Sequence, residues 1–84
     1  MRSVVLYSRE GCCLCDDARE VLSEVRRRHP EAFSIQELDI DTDERLLRAY
    51  LERIPVVTID GEEVFEFFVN PDELERRLGI VGTG

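Results

Sequence analysis

The spacing of apolar and polar positions changes repeatedly along the chain, and each change marks an element. Val4-Val5-Leu6-Tyr7 is a continuous apolar run, too short for a helix and rich in β-branched side chains, which predicts a buried strand broken off by Gly11. From Asp16 onward, Ala18, Val21, Leu22 and Val25 fall at i, i+3, i+4 and i+7, the buried face of an amphipathic helix. Its start is expected at Cys12 or Cys13. Its end is expected near Arg28, because His29-Pro30 disfavours another turn and three arginines suit the negative end of a helix dipole. Phe33 to Ile40 reads as a second strand. Phe33 and Ile35 share one parity, Leu38 and Ile40 the other, so both faces should be partly covered.

Asp41 followed by Glu44 fits a capping signature, and Leu46, Leu47 and Tyr50 give a short second helix its apolar side, stopping before Ile54-Pro55. Val56–Ile59, Asp60-Gly61 and Glu62–Phe67 predict a β-hairpin closed by a two-residue turn. Asn70-Pro71-Asp72-Glu73 offers an N-cap, a proline at the first helical position and early acidic residues. Leu74 and Leu78 supply that helix's apolar side and Gly79 its end. The expected order is β-α-β-α-β-β-α. Strands joined through a helix should run parallel and the hairpin strands antiparallel, giving a four-stranded mixed sheet with helices on its faces.

With 84 residues the chain has room for one domain, spanning 1–84, that buries about 60–65% of its unfolded surface. It is 43% hydrophobic and 36% charged, which is a globular rather than a disordered composition. The net charge of -8 repels polyphosphates and anionic membranes, so neither nucleic acid nor a membrane is an expected partner. No apolar run approaches the ~20 residues of a bilayer span, and no hydrophobic leader follows Met1-Arg2, so a soluble, cytoplasmic, monomeric protein is expected. Every basic residue other than His29 is arginine, a bias without functional weight of its own.

The three cysteines, Cys12, Cys13 and Cys15, fall within four positions. A disulfide scaffold joins distant segments, so this clustering leaves chemistry, metal binding or small core packing as their uses. His29 beside Pro30 reads as a helix-end residue, and Tyr7 as core.

The stretch Leu6-Tyr7-Ser8-Arg9-Glu10-Gly11-Cys12-Cys13-Leu14-Cys15, between first strand and first helix, combines with Arg53-Ile54-Pro55-Val56-Val57 ahead of the third strand. Together they resemble the thioredoxin fold and, more narrowly, a small glutaredoxin-like family. The resemblance covers nearly the whole chain and implies thiol–disulfide oxidoreductase chemistry with no bound prosthetic group. It also implies a cis Ile54-Pro55 bond facing Cys12, with the Ile54 backbone pairing to an extended substrate; on sequence alone, a trans proline that ends the second helix is the other reading.

Elementary chemistry agrees with the spacing. A cysteine at a helix N-terminus has its thiolate stabilised by unpaired N–H groups and the dipole, which makes Cys12 the nucleophile. Cys15, one turn on, lies on the same face and can resolve a mixed disulfide on Cys12. Arg9 adds positive charge nearby, whereas Glu10, Asp16 and Asp17 oppose it.

The chain departs from glutaredoxins at three points. Cys13-Leu14 fills the C-x-x-C where they usually carry proline, no lysine precedes it, and 64–70 lacks the paired glycines that bind glutathione. Arg9 is the candidate replacement for the lysine's charge. Substrates are expected to be protein or small-molecule disulfides, and electrons to come from a dithiol protein, a reductase or, less readily, glutathione. The alternative reading is a metal or iron–sulfur binding module that uses the thiolates of Cys12, Cys13 and Cys15. Between the active pair, Cys13 is otherwise a passenger.

Overall fold

The structure, a computed structural model, describes residues 2–80. Its elements are β1 (Arg2–Ser8), α1 (Cys13–Arg28), β2 (Phe33–Asp39), a 3-10 turn (Ile40–Thr42), α2 (Glu44–Tyr50), β3 (Val56–Ile59), β4 (Glu62–Glu66) and α3 (Pro71–Arg77). The strands lie in the order β2-β1-β3-β4. β1 runs parallel to β2 and antiparallel to β3, and β3 runs antiparallel to β4. The mixed sheet and the element order are those the sequence predicts.

Local chemistry sets the element ends. Asp60 and Gly61 turn the hairpin with φ of 51° and 88°, the doubly positive turn that matches strand twist and that Asp-Gly favours. The Asp60 carboxylate then ties this tip to β1, accepting from the Ser3 N–H (2.9 Å) and from Arg2 Nε (2.8 Å). Between Val57 and Thr58 the register to β4 slips by one residue, leaving Val64 as a bulge. Asn70 caps α3 as expected, its side chain accepting from the Glu73 N–H (3.0 Å).

The cap of α2 differs from expectation. Asp43, not Asp41, accepts the Arg45 N–H (2.8 Å), because Ile40–Thr42 closes a 3-10 turn of its own, capped by Asp39. That turn ends β2 one residue before Ile40 and releases the Asp41 side chain toward Arg9. His29 does cap α1, but it also reaches across to α3, where Nε2 lies 2.9 Å from Glu75 Oε2.

One face of β1 carries Val4, Leu6 and Ser8, all buried; β2 sets Ile35 beside Val4 and Glu37 beside Leu6, with Phe33 two residues earlier on the same parity, opposite Arg2. The buried stripe of α1, Cys15, Ala18, Leu22 and Val25, covers this face, and α3 adds Leu74 and Leu78. Along both strands the face is apolar far from the cysteines and turns polar, at Ser8 and Glu37, near them.

Candidate functional site

Gly11 adopts φ +83°, a left-handed conformation that a side chain would disfavour even though a Cβ there would meet nothing. The Cys12 N–H closes the turn onto the Arg9 carbonyl (3.3 Å). Cys12 remains extended (φ -92°, ψ 112°) as the N-cap of α1. Its Sγ takes the role usually filled by a serine or aspartate oxygen, accepting the Cys15 N–H at 3.3 Å. The sulfur therefore sits at the open end of a sixteen-residue helix.

The three thiols have different surroundings. Cys12 is half-buried, Cys13 is exposed and Cys15 is fully buried, and none is joined in a disulfide. Cys15 belongs to the core stripe of α1, spaced three residues before Ala18, and the apolar pattern that predicts the helix did not include it. Burial above all, and then the hydrogen bond with Cys12, push the Cys15 thiol up to about 12; the Arg9 backbone N–H and the Arg19 guanidinium pull the other way.

This raised value has a testable sign. The fold prefers neutral Cys15, so its contribution to stability is complete below the ordinary value of 9.0 and is lost as pH rises toward about 12. Under reducing conditions the urea midpoint should fall between roughly pH 8 and pH 10.5 by more in the parent protein than in Cys15→Ala. Parallel falls in the two proteins would show that Cys15 does not titrate in this way.

Arg19, one turn beyond Cys15, forms a two-pronged pair with Glu37, Nε to Oε1 at 2.7 Å, and also binds Asp16 at 2.7 Å. The buried Ser8 hydroxyl donates to the other Glu37 oxygen at 2.7 Å. Arg19 holds the Glu37 carboxyl below the usual range, with partial burial working against it and Ser8 adding to it. Sequence reasoning missed this network. The available signal was the serine and the glutamate at the ends of two alternations otherwise apolar, Val4-Leu6-Ser8 and Phe33-Ile35-Glu37.

Cys12 opens into a shallow cleft of about 490 Å³ lined by Arg9, Glu10, Gly11, Asp41, Leu51 and Ile54. Cys12, Arg9 and Ile54 thus line one cavity, and Cys15 is buried outside its lining. Arg9 is not a free cation, because Nε pairs with Asp41 Oδ2 at 3.0 Å. The Ile54-Pro55 bond is cis. The Pro55 ring itself is fully buried. The Ile54 N–H is also engaged, donating to the Tyr50 carbonyl at 3.0 Å, so strand-like pairing through that N–H is removed. Tyr7, read as core, is half-buried and stacks on Tyr50 with ring centroids 4.5 Å apart; the Arg53 guanidinium lies 5.4 Å from the Tyr50 centroid.

Among the described residues, no group of three or more His, Cys, Asp or Glu side chains is placed to hold a metal ion. Cys15 lies against Cys12, whereas Cys13 is exposed, so the three thiols do not form such a group and the metal-module alternative finds no geometric support among the described residues. No described helix is long and apolar enough to cross a membrane.

Residues 3–79 match the model of the glutaredoxin-like domain (DUF836). A curated relative, the glutaredoxin-like protein YDR286C homolog of Dictyostelium discoideum, is 30% identical over 85 residues, covering 94% of this chain and 77% of that protein. The crystal structure of protein XcR50 from X. campestris is 32% identical, with a TM-score of 0.74 and coverage of 90% and 95%. Thioredoxin-2 of a malaria parasite, at 14% identity, has a TM-score of 0.75 over 94% of this chain and 82% of its own, and shows the fold alone. Together they support a redox-type function in general terms. The chain belongs to the glutaredoxin-like domain family and has a thioredoxin-like fold.

Proposed function

We propose that the protein is a thiol–disulfide oxidoreductase working through Cys12 and Cys15. The observation that carries this reading is the asymmetry of the pair: Cys12 Sγ faces the cleft at a helix N-terminus, while Cys15 is buried one turn behind it with its N–H on that sulfur. In the first step Cys12 thiolate attacks one sulfur of a substrate disulfide. That S–S bond breaks, and its other sulfur leaves with the bonding pair and takes a proton. Cys15 then loses its proton to solvent and attacks Cys12 Sγ, forming the Cys12–Cys15 bond and expelling the second substrate thiolate. The substrate gains two electrons and the cysteine pair loses them. The Arg9 N–H and the Arg19 charge favour the Cys15 thiolate at that moment.

The substrates are protein or small-molecule disulfides, held at Ile54 and Arg9 in the cleft. An extended segment would use the Ile54 carbonyl rather than its N–H. The donor is a dithiol protein or reductase in preference to glutathione. Glutathione has two carboxylates to place, yet 64–70 contains no glycine and Arg9 is matched by Asp41.

Titration against glutathione redox buffers, with mass spectrometry of trapped species, tests the reading. It should show a two-electron transition whose product is the Cys12–Cys15 disulfide, and stopped-flow reduction of that product should be faster with a dithiol protein than with glutathione at matched driving force. A protein that stays reduced throughout would refute the function. Fast, saturable reduction by glutathione that collapses in Arg9→Ala would refute the donor assignment.

A further inference from the structure

The large hydrophobic side chains left exposed among the described residues are Leu51 (43%), Phe67 (40%) and Phe68 (70%). They are not scattered. Leu51 lines the Cys12 cleft together with Ile54. Phe67 is one hydrogen bond away, its N–H donating to the carbonyl of Pro55, the residue after Ile54, at 2.8 Å. Phe68 follows, with its own N–H on the Glu66 carbonyl at 2.7 Å. Phe67 has φ +66°, a conformation disfavoured for a bulky residue and common where a surface is shaped for use. An exposed aromatic pair tied by its backbone to the segment that lines the cleft is the sort of patch that marks a contact surface.

The charge around this patch is mostly negative. Between Arg53 and Arg76 the chain has no Arg, Lys or His, while Glu62, Glu63, Glu66 and Asp72 surround the two phenylalanines in sequence. Arg53 alone faces both Glu63 and Glu66. On the other side of the cleft Arg9 is matched by Asp41, and Glu10 has no ion-pair partner among the described residues. A partner that covers Phe67 and Phe68 must therefore approach a rim with surplus carboxylate.

We propose that Leu51, Phe67 and Phe68 form a docking surface for one class of substrate: an extended, disulfide-bearing protein segment with an apolar side chain next to its half-cystine and arginine or lysine around it. This rests on the redox reading above and names which disulfides that site prefers. The apolar side chain covers Phe68, and the cationic flank meets Glu66 and Glu10. Anionic disulfides, oxidised glutathione among them, match the surface poorly.

Four peptide homodimers test it, each a short segment joined through one central cysteine and flanked by Leu and Arg, Leu and Glu, Ser and Arg, or Ser and Glu. In single-turnover oxidation of the reduced protein, the Leu/Arg dimer should react at least about tenfold faster than each of the others at low salt. Phe68→Ser should remove the Leu-over-Ser preference while leaving the rate with hydroxyethyl disulfide unchanged, and Glu66→Gln should shrink the Arg-over-Glu preference. Equal rates across the four dimers, or preferences unmoved by Phe68→Ser, would overturn the docking surface while leaving the redox reading intact. If hydroxyethyl disulfide itself fails to oxidise the protein, the redox reading falls. Binding of the same segments with serine in place of cysteine then decides the surface separately, and equal affinities would remove it as well.

Discussion

Cys12→Ser should lose disulfide reductase activity by at least about a thousandfold, because the attacking sulfur is removed and no other thiol can take its place. Cys15 is fully buried and held protonated at neutral pH. Cys13 is exposed but lies outside the cleft. The paired variants separate the roles. Cys15→Ser should still attack and then stall, accumulating a mixed disulfide on Cys12 visible as an added substrate mass, whereas Cys13→Ser should stay within about twofold of the parent protein. The check is steady-state turnover of hydroxyethyl disulfide with intact-mass spectrometry. Activity surviving in Cys12→Ser, or the adduct appearing on Cys13, would contradict the assignment.

Phe33→Ala should destabilise the protein by about 3–5 kcal/mol, the range for truncating a fully buried aromatic side chain. Phe33 is completely inaccessible at the start of β2, packed in the cluster with Val4, Leu22 and Val25. A chain this short has only about 4–13 kcal/mol of total stability, so the variant should melt tens of degrees lower or be largely unfolded at 25 °C. Phe33→Leu, which keeps most of the volume, should lose roughly half as much or less. Thermal unfolding followed by circular dichroism measures both, and a loss below about 1 kcal/mol for the alanine variant would show that this end of the core collapses around the cavity.

Elements with a clean local signature were legible in the sequence. The hairpin was, because Asp60-Gly61 can hardly do anything but turn, and α1 was, because its apolar face repeats over several turns. The start of α2 was not. Asp39, Asp41 and Asp43 are equally good caps on paper, and only the 3-10 turn between them decides which serves the helix. Within the site, Cys12 and Cys15 could be named from spacing because i, i+3 geometry is a local property. The partners of Arg9 and of the Ile54 N–H could not, since they depend on Asp41 and Tyr50 being brought in by tertiary packing. Ser8, Arg19 and Glu37 escaped for the same reason: three elements supply one side chain each, and no window along the chain contains them together.

The strand order has a consequence for how the protein matures during synthesis. β1 is central, with β2 on one side and β3 on the other, so it cannot be enclosed until both of these later strands exist. β1, α1 and β2 form a unit that the ribosome releases early, cysteines included. The other wall of the cleft, Leu51 and Ile54, comes from the later half of the chain, and docking the hairpin on β1 requires contacts between residues about fifty positions apart. If the thiols and the docking surface act as proposed, a nascent chain carries the thiols before the surface on which to choose a partner, and reactivity precedes selectivity until residues 56–68 have been added.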